Sequence, residues 1–179
     1  ICKKEQAGDI QIIELASLLH DIADSKFHDG PESLGGDLAF EFMREEGVDE
    51  KSAVHVREII NQMSFKSRLK DKSISSIEFQ IVQDADRIDA IGAIGIARAF
   101  NYGGFKNRAI HDPDQPIQEY ATMEAYKKSD AATINHFYEK LFLLKNLMNT
   151  STGKAIAGER HLYMEDYVKR FMKEWDGEA

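Results

Sequence analysis

Apolar residues recur three and four positions apart along most of the chain, which is the spacing of one buried face of an α-helix. The widest such face runs from Ile12 to Ile22, and Asp9 lies just before it, where its side chain caps free backbone N–H groups. The alternation of apolar and polar residues that is typical of strands is absent. An all-α fold is therefore predicted, with helices over residues 9–24, 36–46, 49–63, 77–100, 131–148 and 151–175.

Further sequence features bear on two of these helices and on one connecting segment. The segment 77–100 is almost entirely apolar or small outside one charged cluster, which predicts the central helix of the fold. Asp130 is a candidate cap for the helix 131–148. The region from Asn101 to Pro116 holds two of the chain's three prolines and predicts a long irregular loop, a kind of segment that often covers a binding site.

Size and composition are those of one soluble globular domain. The chain has 179 residues, of which 42% are hydrophobic and 30% charged, enough to bury a core without disulfides. No apolar run approaches the roughly 18 residues that a membrane span requires. A single domain over residues 1–179 is expected, without a membrane-spanning segment.

The net charge and the cysteine content limit the classes of binding partner and the cellular compartment that we expect. The net charge of -8 opposes binding to long nucleic acids, whose phosphates require a basic surface, but leaves a small anionic substrate possible. The only cysteine, Cys2, cannot form an internal disulfide, and no signal-peptide pattern is present. We therefore expect a cytoplasmic protein.

The doublet His20-Asp21 closes the apolar run of the first helix. Burying an imidazole or a carboxylate without a partner costs roughly 2–7 kcal/mol or more, so both side chains need partners. A divalent transition metal is one such partner, and Asp86, in the later string Asp84-Ala85-Asp86-Arg87-Ile88-Asp89, offers a further carboxylate. In a continuous helix Asp24 would lie on the same face as His20 and border the metal.

Together, His20-Asp21, the acid at Asp24 and the string Ala85-Asp86-Arg87-Ile88 resemble the HD-domain superfamily of metal-dependent phosphohydrolases. The similarity is closer still to the small stand-alone bacterial HD hydrolases of the YpgQ type and covers nearly the whole chain. It includes Leu19 to Asp24, Ile60 to Lys66, Gln83 to Phe100, Tyr102-Gly103-Gly104, Thr133 to Leu141, Met148-Asn149-Thr150 and Glu159-Arg160-His161.

The resemblance implies an HD-type helical bundle with His20, Asp21 and Asp86 as metal ligands. The metal expected is manganese, with iron, zinc, nickel, cobalt or magnesium as alternatives. One ion is predicted, because dinuclear relatives add histidines between the doublet and the last aspartate, including an adjacent pair, whereas this chain has only His28 and His55 there. Asp24 is the candidate that handles the proton of the attacking water.

One departure from the family concerns a further histidine ligand on a helix before the doublet. No histidine precedes His20 here, and Ile1–Glu5 resembles the end of that helix. Two interpretations remain. The ligand lies in residues that precede Ile1, which we favour, or the metal site has lost one ligand.

Cations near the site would bind the phosphates of a substrate. Lys66 and Arg68 follow the third helix and Lys106 follows the Gly103-Gly104 turn, so all three are candidate substrate contacts. The first two also fit a solvated loop. His28 is a fourth candidate, although a histidine before Gly30-Pro31 also fits an ordinary turn.

The predicted activity is hydrolysis of a small nucleotide, most simply a nucleoside triphosphate cleaved to release pyrophosphate. The alternatives are a phosphodiesterase of cyclic or signalling nucleotides and a metal-poor HD module that binds or signals without catalysis. Asp84 and Asp89 are interpreted as ion-pair or supporting groups, with Arg87 or Arg98 as partners, and Asp86 is not expected to lie on a solvated face. The oligomeric state stays open.

Overall fold

The computed structural model describes residues 1–23, 33–63, 76–118 and 130–178, and it divides into two compact units, residues 1–86 and 87–179. Every regular element in these ranges is helical, which confirms the all-α prediction. None of the described helices is long and apolar enough to cross a membrane. The elements are α1 (Cys2–Glu5), α2 (Ile10–Leu19), α3 (Leu34–Glu45), α4 (Glu50–Met63), α5 (Ile77–Asp89), α6 (Gly92–Phe105), α7 (Asn135–Glu139), a 3-10 helix (Leu141–Leu147) and α8 (Ser151–Trp175).

The first unit is built around α4, which packs against both α2 and α3. The apolar positions that predicted helices in the sequence form one continuous core here, because each helix turns its apolar stripe inward. At its start α2 is capped as expected, since Asp9 Oδ1 accepts hydrogen bonds from the backbone N–H groups of Gln11 (2.8 Å) and Ile12 (3.4 Å). The core side chains include Ile12, Ile13, Ala16, Ala39, Met43, Val56, Ile59, Ile60, Ile81 and Val82.

The helix expected over residues 9–24 is shorter in the structure. The α-helix α2 ends at Leu19, and a turn follows in which Ile22 N–H donates to Leu19 O at 3.1 Å. His20 therefore lies at the C-cap of α2, so His20 and Asp21 lie at the end of this helix instead of along its face.

The central helix expected over residues 77–100 is two helices, α5 and α6, separated at Ala90 and Ile91. Ile91 is extended (φ −126°, ψ 168°) and Gly92 has φ +79°, a conformation that costs other residues a steric penalty. Arg160 of α8 stabilises the break, because its Nη1 donates to the carbonyl oxygens of Ile88 (2.6 Å) and Ile91 (3.4 Å). The guanidinium thus adds a side-chain donor to the Ile88 carbonyl, which also accepts from the N–H of Ile91 at 3.2 Å, and binds the carbonyl of the residue that precedes α6.

The helix expected over residues 131–148 is also interrupted. The N–H groups of Thr133 and Ile134 donate to the carbonyls of Ala109 (2.9 Å) and Ile110 (3.0 Å), so they are used in tertiary contacts and α7 begins only at Asn135. Asp130 is therefore not its cap. By contrast, the last helix has the expected bounds, and Thr150 Oγ1 caps it by accepting from Gly153 N–H at 2.9 Å.

The core of the second unit is aromatic. Phe137 is fully buried, and its ring centroid lies 6.0 Å from that of Phe100, 6.1 Å from that of Phe142 and 6.3 Å from that of Tyr167. Ring pairs at these separations add to the burial of apolar area. Core packing therefore explains this group of aromatic side chains.

Candidate metal centre and active site

His20 is oriented by the backbone of its own helix. Its Nδ1 lies 2.9 Å from the carbonyl oxygen of Ser17, and the carbonyl can only accept, so Nδ1 carries the proton. In the neutral ring the lone pair is then on Nε2, the atom that faces away from α2. A hydrogen bond of this kind, from the remaining ring nitrogen to a carbonyl, is the usual support of a metal-binding histidine.

Two carboxylates face Nε2 of His20. The Oδ2 atom of Asp21 lies at 3.3 Å and the Oδ1 atom of Asp86, on α5, lies at 3.7 Å. The imidazole is about one-quarter exposed (23%), whereas Asp21 and Asp86 reach solvent. The interaction with the Asp86 carboxylate, opposed by partial burial, raises the pKa of His20 to about 9. A positive charge is therefore strongly favoured at this point, whether it comes from a proton or from a metal ion.

The three residues suit a divalent transition metal by their chemistry. Bonds of about 2.0–2.2 Å from a metal to nitrogen and oxygen ligands place neighbouring donor atoms about 3–3.6 Å apart, close to the two separations observed here. A neutral imidazole with two carboxylates favours manganese, iron or zinc over calcium. Within the described ranges no set of three or more His, Cys, Asp or Glu side chains is arranged as a finished metal site. His20, Asp21 and Asp86 are therefore a candidate donor set for a metal ion.

Of the other predicted site residues, the structure describes only Lys106. Asp24, His28, Lys66 and Arg68 lie outside the described residues. Lys106 belongs to the second unit, where it follows α6 and lines a pocket of about 420 Å³. The remaining side chains and backbone of that pocket come from Tyr102, Asn107, Arg108, Ala109, Gln115 and Asp130.

The exposure of Asp86 is the reverse of what the sequence suggested. Asp84 is fully buried, whereas the side chain of Asp86 is 52% exposed. The helical period explains the difference, because residues 81, 84 and 88 share the inward face and residue 86 lies on the other side. A catalytic metal must be accessible to substrate, so the exposure of Asp86 is compatible with its assignment as a ligand.

The neighbouring charges on α5 have structural partners. Asp89 pairs with Arg98, which is one of the two partners that the sequence suggested. Arg87 is buried, and its Nη1 donates to the carbonyl of Leu147. Both interactions lie within the second unit, so these residues support the fold there.

Comparison with known proteins identifies the family. The model of the HD domain matches residues 1–91. The chain is 39% identical over 178 residues to the Bacillus subtilis protein YpgQ, covering 99% of this chain and 78% of that protein. These matches confirm the resemblance drawn from His20-Asp21 and from the string around Asp86.

Solved structures agree. An HD-superfamily hydrolase from Bacillus thuringiensis is 42% identical and superposes with a TM-score of 0.74, over 97% of this chain and 78% of that one. The structure of B. subtilis YpgQ in complex with ADP is 34% identical, with a TM-score of 0.74 over 99% and 83% of the two chains. The protein belongs to the HD-domain family and is an HD-superfamily hydrolase, a metal-dependent phosphohydrolase in its general activity.

Proposed function

We propose that this protein hydrolyses small nucleotides, and that its substrate is a nucleoside triphosphate cleaved to a monophosphate and pyrophosphate. The observation that carries the proposal is the pair of carboxylate oxygens, from Asp21 and Asp86, within 4 Å of Nε2 of His20. The solved complex of YpgQ with ADP supports a nucleotide as the ligand class. One divalent ion, manganese, is proposed at His20, Asp21 and Asp86, in a protein of the cytoplasm.

Each residue of the proposed centre has a distinct task. The ion, when bound, supplies Lewis acidity to a phosphoryl group and to water. His20 presents Nε2 because Ser17 O holds the proton on Nδ1, so the ring needs no rearrangement to bind the ion. Asp21 and Asp86 contribute negative charge on a surface that substrate can reach. Asp24 is proposed to take the proton from water as the oxygen attacks phosphorus and the pyrophosphate leaves.

The assay that tests this proposal identifies the substrate class and the bond that is cleaved. The full chain, supplied with Mn²⁺, is incubated with nucleoside triphosphates, diphosphates and cyclic nucleotides, and phosphate and pyrophosphate are detected independently. We expect pyrophosphate and a monophosphate in equal amounts from triphosphates. Turnover of cyclic nucleotides alone would establish the phosphodiesterase alternative instead, and no turnover with no bound metal would establish the binding module.

Lys106 is proposed to contact the phosphates of the substrate. Its ammonium lies 5.8 Å from the ring centroid of Tyr102 and 5.4 Å from that of Phe105, in the pocket that Arg108 also lines. A cation held over aromatic rings beside a second cation suits a phosphate group.

Replacing Lys106 with alanine is expected to raise KM for the triphosphate about tenfold and to leave kcat nearly unchanged, because ground-state and transition-state binding are lost equally. Steady-state kinetics measure both constants. Lys51→Ala, which removes an exposed lysine from α4, is the control and should change neither. A fall in kcat with unchanged KM would contradict a binding role for Lys106.

A further inference from the structure

The proposed ligands come from two helices, so their spacing depends on how α2 and α5 are held together. His20 follows the last residue of α2, whereas Asp86 lies within α5. At the opposite end of α2, a side chain of α5 makes a direct bond: Glu78 Oε1 accepts from the backbone N–H of Asp9 at 3.0 Å. Asp9 is the cap residue of α2.

This bond takes the place of one that some helices make within their own first turn. In a capping box, a glutamate or glutamine three residues after the cap reaches back to the N–H of the cap residue. In α2 that position is Ile12, which is buried in the core and has no acceptor to offer. The acceptor is instead supplied from Glu78, 69 residues along the chain, so the cap of α2 is also a link between two helices.

A histidine of α4 extends the link. Nε2 of His55 lies 3.9 Å from Glu78 Oε2 and 3.1 Å from Oγ of Ser76, and that hydroxyl accepts from Phe79 N–H at 3.1 Å. The pKa of the Glu78 carboxyl is lowered overall, so the group stays ionised. Burial of the side chain, which is only 14% exposed, acts in the opposite direction, but the hydrogen bond from Asp9 N–H and further hydrogen bonds outweigh it.

The turn before α2 is shaped to allow this contact. Gly8 has φ +87°, and a Cβ atom there would lie 3.0 Å from Cδ1 of Ile13 and 3.5 Å from Oε1 of Glu78. A residue with a side chain would be strained in this conformation and crowded by the core. Glycine therefore suits position 8, in the turn that leads to the bond between Asp9 N–H and Glu78.

We propose that Glu78 is a positioning residue, which ties the start of α2 to the start of α5 and thereby holds His20 close to Asp86. The inference rests on the metal ligands proposed above. Because a helix rises about 1.5 Å per residue, Asp9 and His20 are separated by roughly 16 Å along α2, and Glu78 and Asp86 by roughly 12 Å along α5. The two helices are therefore held at two points, one at the link and one at the metal ligands.

The test is the affinity of the full chain for Mn²⁺, measured by titration calorimetry without substrate. Glu78→Ala removes the acceptor of Asp9 N–H and is expected to weaken Mn²⁺ binding about tenfold, the scale seen when groups that orient metal ligands are removed. Glu78→Gln keeps an oxygen that accepts from Asp9 N–H and is expected to restore most of the affinity.

The matched control is Asp49→Ala. Asp49 is also a carboxylate at a helix start in this unit, and its Oδ1 accepts from Ser52 N–H at 3.0 Å, but it caps α4 from within its own turn. The thermal stability lost in Asp49→Ala and Glu78→Ala is compared first. Only Glu78→Ala is expected to lose Mn²⁺ affinity beyond what a similar loss of stability produces in Asp49→Ala.

Asp86→Asn, measured in the same series, distinguishes the two ways in which the proposal can fail. If Asp86→Asn abolishes binding while Glu78→Ala and Asp49→Ala behave alike, Glu78 has no positioning role and the ligand assignment stands. If Glu78→Gln fails to restore affinity, the bond to Asp9 is likewise excluded as the cause. If Asp86→Asn binds Mn²⁺ like the parent protein, the ligand assignment and the positioning role both fall.

Discussion

Replacing Asp86 with asparagine is expected to abolish Mn²⁺ binding and to lower kcat/KM for a nucleoside triphosphate about 10³-fold. Asparagine keeps the size of the side chain but removes the charge that faces Nε2 of His20 at 3.7 Å. Stabilisation of phosphoryl charge by a metal is worth several kcal/mol, and each 1.36 kcal/mol corresponds to a factor of ten in rate. Elemental analysis after dialysis measures the metal, and pyrophosphate release measures the rate.

Asp89→Asn is the control for this experiment. Asp89 lies on the same helix and is similarly exposed, at 63% against 52% for Asp86, but its carboxylate pairs with Arg98. It should therefore retain full metal content and near-normal turnover, with at most a small loss of stability from a surface ion pair. An Asp86→Asn protein that retains stoichiometric metal would show that Asp86 is not a ligand.

Helices whose ends are determined locally were predictable from the sequence. The last helix, Ser151–Trp175, has the predicted bounds because Thr150 caps it within its own first turn. The break between α5 and α6 depends instead on Arg160, a donor about 70 residues away, and the late start of α7 depends on carbonyls of residues 109 and 110. The spacing of apolar residues carries no information about such distant partners. The prediction therefore gave one continuous helix where the structure has a break or a later start.

The candidate site likewise has residues that the sequence identifies and features that depend on tertiary contacts. His20, Asp21 and Asp86 could be named from the sequence because the family resemblance covers them, and the structure brings all three together. Which aspartate of α5 faces inward depends on packing, and the expectation for Asp86 was reversed. Glu78 was not predicted to take part in the site. Its bond to Asp9 is a contact between distant segments, which no local pattern in the sequence reveals.

Replacing Asp24 with asparagine is expected to lower kcat about 10²–10³-fold while Mn²⁺ binding stays close to that of the parent protein. This range is typical of losing a group that transfers a proton in the transition state. Asp24 lies outside the described residues, and the helix that was expected to carry it beside His20 ends at Leu19. The prediction therefore rests on the place of this acid four residues after the histidine in the resemblance, and kcat and metal content must be measured on the same preparation.

The dependence of kcat on pH separates proton transfer from other roles of Asp24. A carboxylate that accepts a proton loses function as it becomes protonated, so at saturating Mn²⁺, where protonation does not displace the ion from its ligands, the parent protein should show a falling limb at acid pH, which Asp24→Asn should lack. Asp21→Asn provides the contrast, since the loss of a ligand removes metal and turnover together. If Asp24→Asn also loses metal, Asp24 is a ligand and the proton must be accepted elsewhere. If it retains metal and the acid limb, another group accepts the proton and Asp24 acts only on the substrate.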